Sequence, residues 1–203
     1  MRYAPFCVLS AVVALKLSAE SLVPLPPALT VVLDFKQAQS SRVIEEMKRS
    51  TEEILAGSGV HLDWRLRAEV GSESFPELVL VTFKGKCLVD SRTDETFIPG
   101  PLASTHVTEG QVQPFADVFC DNVASLTRAA IAAGAFGNAD PLMGRALAKV
   151  LAHELMHMIT KSEAHGTSGI GKAALTGRQL VDHDTALEAD DLDRIREESS
   201  DRR

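Results

Sequence analysis

The stretch 140–160, Asp-Pro-Leu-Met-Gly-Arg-Ala-Leu-Ala-Lys-Val-Leu-Ala-His-Glu-Leu-Met-His-Met-Ile-Thr, decides how the chain is read. Asp140 and Pro141 make a helix start, the aspartate as N-cap and the proline at the first helical position. Leu142, Ala146, Leu147, Val150, Leu151, Leu155, Met158 and Ile159 recur at helical spacing and form an apolar stripe for a core. The expected helix runs from Pro141 to about Thr160. One turn of it carries His153, Glu154 and His157 in the order H-E-x-x-H. Residues four apart on a helix stand one above the other, so both imidazoles can serve one metal ion. Glu154 lies one step round and can reach a water held on that ion. Burying three such polar groups without partners is costly, and a metal ion would satisfy them.

Catalytic zinc takes three protein ligands and keeps one position open for water. His165 is the first candidate for the third ligand, just past the expected helix end in Ser162-Glu163-Ala164-His165-Gly166. Gly166, Gly169 and Gly171 give the chain the freedom to turn back under the metal. Two carboxylates are the alternatives: Glu163, nearer, and Glu188, on a following helix. The plainest competing reading is a helix with two partly exposed histidines and a salt-bridged glutamate.

The run HELMHMITKSEAHGTSGIG, residues 153–171, resembles the zincin metallopeptidases, on their metzincin-like side. That family carries H-E-x-x-H-x-x-G-x-x-H followed by a tight turn containing methionine. His153, Glu154 and His157 match residue for residue. Thr160 stands where the family has glycine, His165 falls two residues later than the usual third histidine, and Gly169-Ile170-Gly171 holds no methionine. The run is also similar to compact exported bacterial zincins with a slightly longer spacer before the third histidine. The resemblance implies Zn2+ on His153, His157 and His165, with Glu154 as general base. It implies an α+β, zincin-like fold, in which a mixed twisted sheet packs on two or three helices that include the H-E-x-x-H helix.

The upstream order of elements agrees with that comparison. Leu29–Phe35 reads as a strand and Ser40–Ala56 as an amphipathic helix ending at Gly57-Ser58-Gly59. Residues 60–66 and 78–83 read as strands, 103–107 and 112–119 as two shorter ones, and 123–133 as a helix. This last helix departs from the metzincin order, which runs more directly into the active-site helix. The expected organisation is a signal peptide over 1–19, a leader over 20–28, a single zincin-like catalytic domain over 29–194 and a charged tail over 195–203.

Export is expected from Arg2, the apolar run Ala4–Leu15 and Leu17-Ser18-Ala19, although Lys16 interrupts the apolar segment. The alternatives are an N-terminal element of the domain or an uncleaved anchor. Beyond this segment no apolar stretch is long enough for a membrane span. Cleavage would leave Cys87 and Cys120, an even pair and a candidate disulfide, with two buried thiols as the alternative. The formal net charge of −7 disfavours nucleic-acid partners, because such a surface repels phosphate backbones.

The expected activity is zinc-dependent hydrolysis of peptide bonds in a peptide or protein substrate, endopeptidase rather than exopeptidase. Glu154 takes the proton of a metal-activated water and returns it to the leaving amine. An edge strand near 103–107 would pair with an extended substrate, as family analogy implies. The only tyrosine is Tyr3, so an oxyanion helper would have to be His106 or His183. Asp182, His183 and Asp184 form an acidic group that would suit a cation or a helix cap. A catalytically inactive zincin-like metal-binding or protein-binding module is the main alternative, and a hydrolase of bonds other than peptides is a third.

Overall fold

The computed structural model describes residues 28–89, 100–132 and 139–201. The expected signal peptide, and all but the last residue of the leader, lie outside the described residues. Among those described, the chain is α+β with a mixed five-stranded sheet. The strands are β1 (Leu29–Phe35), β2 (Leu62–Leu66), β3 (Leu78–Lys84), β4 (Ala103–Thr108) and β5 (Gln111–Phe119), in the spatial order β2-β1-β3-β5-β4. The four strands β2, β1, β3 and β5 run parallel, while β4 closes one edge antiparallel to β5. The β4–β5 register shifts between Thr105 and Val107: His106 alone on β4 faces Gln113 to Phe115 on β5, so the extra residues bulge from β5.

β1 occupies an interior position and reads Leu-Thr-Val-Val-Leu-Asp-Phe, with its first five residues buried on both faces. Continuous apolar content of this kind is what a covered parallel strand requires. β3 instead alternates, with Val79, Val81 and Phe83 turned into the core. Two long helices share that core: α1 (Ser41–Leu55), through Val43, Met47 and Leu55, and α3 (Ala139–Thr160), through nearly every residue from Met143 to Ile159. The two helices approach closely at Gly144, where a Cβ would stand 2.6 Å from Cβ of Glu46 and 2.9 Å from the Val43 carbonyl. At the start of both helices the Ser40 hydroxyl donates to Asp140 at 2.9 Å. Asp140 thus lies inside the first turn of α3 and not at its cap.

α2 (Cys120–Ala132) continues directly from β5, and α4 (Gly177–Val181) and α5 (Ala189–Ser200) follow α3. Residues 195–200, expected as a charged tail, are a correction: they continue α5, and Ile195 is fully buried in the core. The charge-dense pattern concealed one apolar residue per turn facing inward. No described helix is long and apolar enough to cross a membrane.

Two devices hold the second half of the chain to the sheet. Lys149 of α3 is 2% exposed, and its ammonium donates to the carbonyls of Gln179 and Asp182 and to the Asp182 carboxylate, at 2.6, 2.8 and 2.8 Å. All three N–H donors are therefore used, which is the condition for burying such a group. Burial lowers its pKa, while the Asp182 bond opposes the drop. The other device is a disulfide between Cys87 and Cys120. β3 and β5 are parallel neighbours, so their C-terminal ends lie side by side; Cys87 follows the first and Cys120 the second, with Cα atoms 4.5 Å apart.

The bridge closes a sequence separation of 33 residues. Restricting the unfolded chain over a loop of that size stabilises by about 3–4 kcal/mol. Cys87→Ser with Cys120→Ser is therefore expected to lower the unfolding free energy by about that amount, measured as a shift in the urea midpoint. Dithiothreitol should destabilise the parent and leave the double variant unmoved.

Candidate metal centre

His153 and His157 stand one turn apart on α3, with their Nε2 atoms 3.0 Å from each other. Each ring is fixed from behind by a main-chain carbonyl. His153 Nδ1 lies 2.8 Å from the Ile170 oxygen and His157 Nδ1 lies 2.6 Å from the Ser162 oxygen. A carbonyl only accepts, so both Nδ1 atoms carry the proton and donate. In the neutral rings both Nε2 atoms are then bare lone pairs aimed at the same point. Protonating one would place a charge where it is poorly solvated; burial lowers the pKa of both rings, and the carbonyl bonds oppose it only in part. A cation between the nitrogens removes the repulsion. The donor set therefore fits a metal ion.

The chain after α3 supplies both carbonyls and the third ring. Lys161 adopts a left-handed conformation (φ 50°), and the Ser162 N–H reaches back to the His157 carbonyl at 3.3 Å. This is a Schellman closure, which reverses the chain and satisfies a terminal carbonyl. The same reversal aims the Ser162 oxygen at His157 and returns His165 towards the helix. The rings of His153 and His165 have centroids 5.2 Å apart, those of His157 and His165 4.8 Å. One ligand nitrogen from each of the three lies within 4.8 Å of the others. His153, His157 and His165 thus lie close enough to hold a metal ion. An all-imidazole set suits borderline divalent ions such as zinc, copper, nickel and iron.

The Ile170 carbonyl is held in place by a short loop. Gly166 N–H donates to the Gly171 carbonyl and Ile170 N–H to the Ala186 carbonyl, both at 2.7 Å. Gly169 permits this, with φ at 60° and room for no Cβ, which would fall 2.3 Å from the Ala186 oxygen. Ile170 itself is fully buried beneath the histidines, at the place where the resemblance would put methionine. Of the carboxylate alternatives, Glu188 caps the start of α5 and is not part of the cluster, while Glu163 lines the cleft on its exposed rim.

Glu154 is 5% exposed and faces the edge strand, where the Thr105 hydroxyl donates to its Oε2 at 2.5 Å. Burial raises its pKa; the bonds from Thr105 oppose the rise. A cleft of about 380 Å³ opens on the cluster. Its walls are β4, α3 around Val150–His157, Leu126 of α2 and the segment Lys172–Leu175.

The other expected helpers lie elsewhere. His106 points away from the cleft and pairs with Asp117 at 2.9 Å; His183 does not line the cleft. Asp182 already holds a cation, the Lys149 ammonium, and its second oxygen takes the Thr185 hydroxyl at 3.0 Å. Thr105 and Lys172 are site residues that sequence reasoning did not find. Thr105 is separated from Glu154 by 49 residues, and no local pattern marks it. No protein-family model matches this chain, and no curated protein does.

Chelator-stripped protein is expected to bind one divalent ion per chain. His165→Ala should weaken that binding at least about 100-fold, whereas Glu188→Ala should leave it within about twofold. Isothermal titration with zinc checks both. Protons compete for the same nitrogens, and burial lowers both helix-histidine pKa values below the ordinary 6.5. Affinity should therefore fall as the pH is lowered, and the two helix nitrogens should resist protonation to a lower pH than an ordinary imidazole.

Proposed function

We propose that this chain is a zincin-like zinc metallopeptidase that cleaves peptide bonds internally in extended substrates. The observation that carries the reading is the convergence of three imidazoles beside a buried, hydrogen-bonded glutamate at the floor of an open cleft. The arrangement in space supports it: a mixed sheet whose antiparallel edge strand β4 lies beside the helix bearing the histidines, although α2 intervenes between β5 and that helix along the chain. Three nitrogen donors leave coordination positions facing the cleft, as catalytic zinc requires. Exported localisation accords with the disulfide, which persists in oxidising compartments.

Bound zinc would supply a Lewis acid that acidifies water and polarises a carbonyl. The rest is work for the chain's own residues. His153, His157 and His165 would hold the ion, the first two with ring orientation fixed by Ile170 and Ser162. Glu154 would accept the water proton on its carboxylate and pass it to the departing amine. The Thr105 hydroxyl would orient Glu154 between those two events. Among the described residues β4 is the terminal strand of the sheet, with one side paired to β5 and the other available to add an extended peptide. Leu102, Ala103, Val107, Val112 and Leu126 would receive apolar side chains and keep the reacting centre dry.

Glu154→Gln should retain full zinc content and lose about 10²–10⁴-fold in turnover of an unfolded casein-type substrate. Undiminished cleavage would remove Glu154 as the base; full zinc with no cleavage by the parent would favour a metal-binding module. Thr105→Val deletes a donor that favours the ionised glutamate. The acid limb of the pH–rate profile should consequently move to higher pH, read from kcat/KM between pH 5 and 8.

A further inference from the structure

We propose that Lys172 is the specificity-determining residue of the cleft and that the preferred substrate carries a carboxylate close to the scissile bond. The inference rests on the hydrolase reading above and adds a substrate class to it.

Among the described residues, Lys172 is the one lysine or arginine that lines the cleft. Its ammonium donates to Gln179 Oε1 at 3.0 Å, a neutral acceptor, and among the described residues it forms no ion pair. Lys149, a short distance along the fold, shows the contrast: there the charge is cancelled by Asp182 and every donor is spent. Lys172 has no counterion among the described residues, and one of its three N–H donors is used on Gln179, which leaves two for a group outside that set.

Its position is also fixed. Gln179 Oε1 accepts from the Thr176 N–H and the Thr176 hydroxyl, both at 3.1 Å, and the Gln179 N–H returns a bond to Thr176 Oγ1 at 3.3 Å. That reciprocal pair locks the carboxamide, and the carboxamide in turn holds the ammonium. A lysine on a free four-carbon stem loses rotamer freedom on meeting an anion; here much of that loss has been incurred in folding. The neighbouring wall, Ala173, Ala174, Leu175 and Val150, is apolar. The surrounding protein carries a net charge of −7, so a fixed cation inside the cleft is a local exception to its field. Glu163, on the exposed rim near His165, makes no ion pair with Lys172.

The ligand chemistry is a carboxylate on an extended peptide. It has two sources, an aspartate or glutamate side chain or the peptide's own C-terminus. The test uses zinc-loaded full-length protein and four matched peptides: glutamate or glutamine flanking the scissile bond, each with a free or an amidated C-terminus. Parent protein should favour the carboxylate-bearing peptides by at least about tenfold in kcat/KM, the worth of one charge-assisted hydrogen bond. Preference tracking the side chain assigns the anion to an acidic residue; preference tracking the terminus assigns it to the C-terminal carboxylate. Lys172→Met should collapse the ratio to about one, Lys172→Glu should invert it, and Lys172→Arg should retain most of it. A ratio unchanged in Lys172→Met, or equal rates of cleavage of all four peptides by the parent, overturns the inference and leaves the hydrolase reading standing. Binding of the same peptides to zinc-loaded Glu154→Gln, followed by fluorescence, is read independently of turnover. Lys172-dependent binding without cleavage by the parent would sustain the inference and overturn the hydrolase reading.

Discussion

Two main-chain carbonyls govern this structure's chemistry. By accepting the Nδ1 protons of His153 and His157, Ile170 and Ser162 oblige both Nε2 lone pairs to face one point. Such an arrangement is unfavourable by itself and favourable around a cation. Everything nearby serves to hold those two oxygens. The left-handed Lys161 sets one, and the Gly166–Gly171 loop, pinned through Ala186, sets the other. The helix that bears the rings is buried along nearly its whole length, so it cannot move to relieve the conflict. The third ring, His165, is exposed and is carried by the segment that follows α3.

The sheet and its edge translate the same constraint into a cleft. α3 lies against β4 and β5, so Glu154 meets the terminal strand and finds Thr105 there. The two influences on that carboxyl oppose one another: burial raises its pKa, and the bonds from Thr105 lower it. On the other side of the cleft the wall Lys172–Leu175 depends on α4. That short helix is in turn anchored by Lys149 reaching out from the same α3 that carries the histidines. One helix thus positions the floor of the site and one of its walls.

Sequence reading recovered the parts whose signal is local. The H-E-x-x-H spacing, the apolar stripe from Leu142 to Ile159, and the successive strands and helices up to α3 are written in residues close together along the chain. Their boundaries differ from the structure by a few residues at most; the helix expected over 123–133 begins at Cys120, directly behind β5. What was not legible arises from distant pairing. The Thr105–Glu154 bond, the use of Asp182 as the counterion of Lys149, and the neutral seat of Lys172 on Gln179 follow from how elements stack, and stacking leaves no periodic trace. The tail from 195 was misjudged for a related reason. Ile195 is a single apolar residue among charges, and one buried residue per turn is too sparse to register as an amphipathic face.

The shift in register at His106 has a consequence for how this protein behaves in a crowd. A terminal strand with vacant hydrogen-bonding groups is a template for any extended chain, including a strand of another molecule, and long flat edges of that kind seed ordered aggregates. β4 spans six residues, and its ladder with β5 is broken midway by the extra residues of β5, with Ala103 to Thr105 paired on one side of the break and Val107 and Thr108 on the other. A short edge with an irregular ladder is one of the ways a sheet discourages edge-to-edge pairing between copies, and here the device sits in the strand behind the edge.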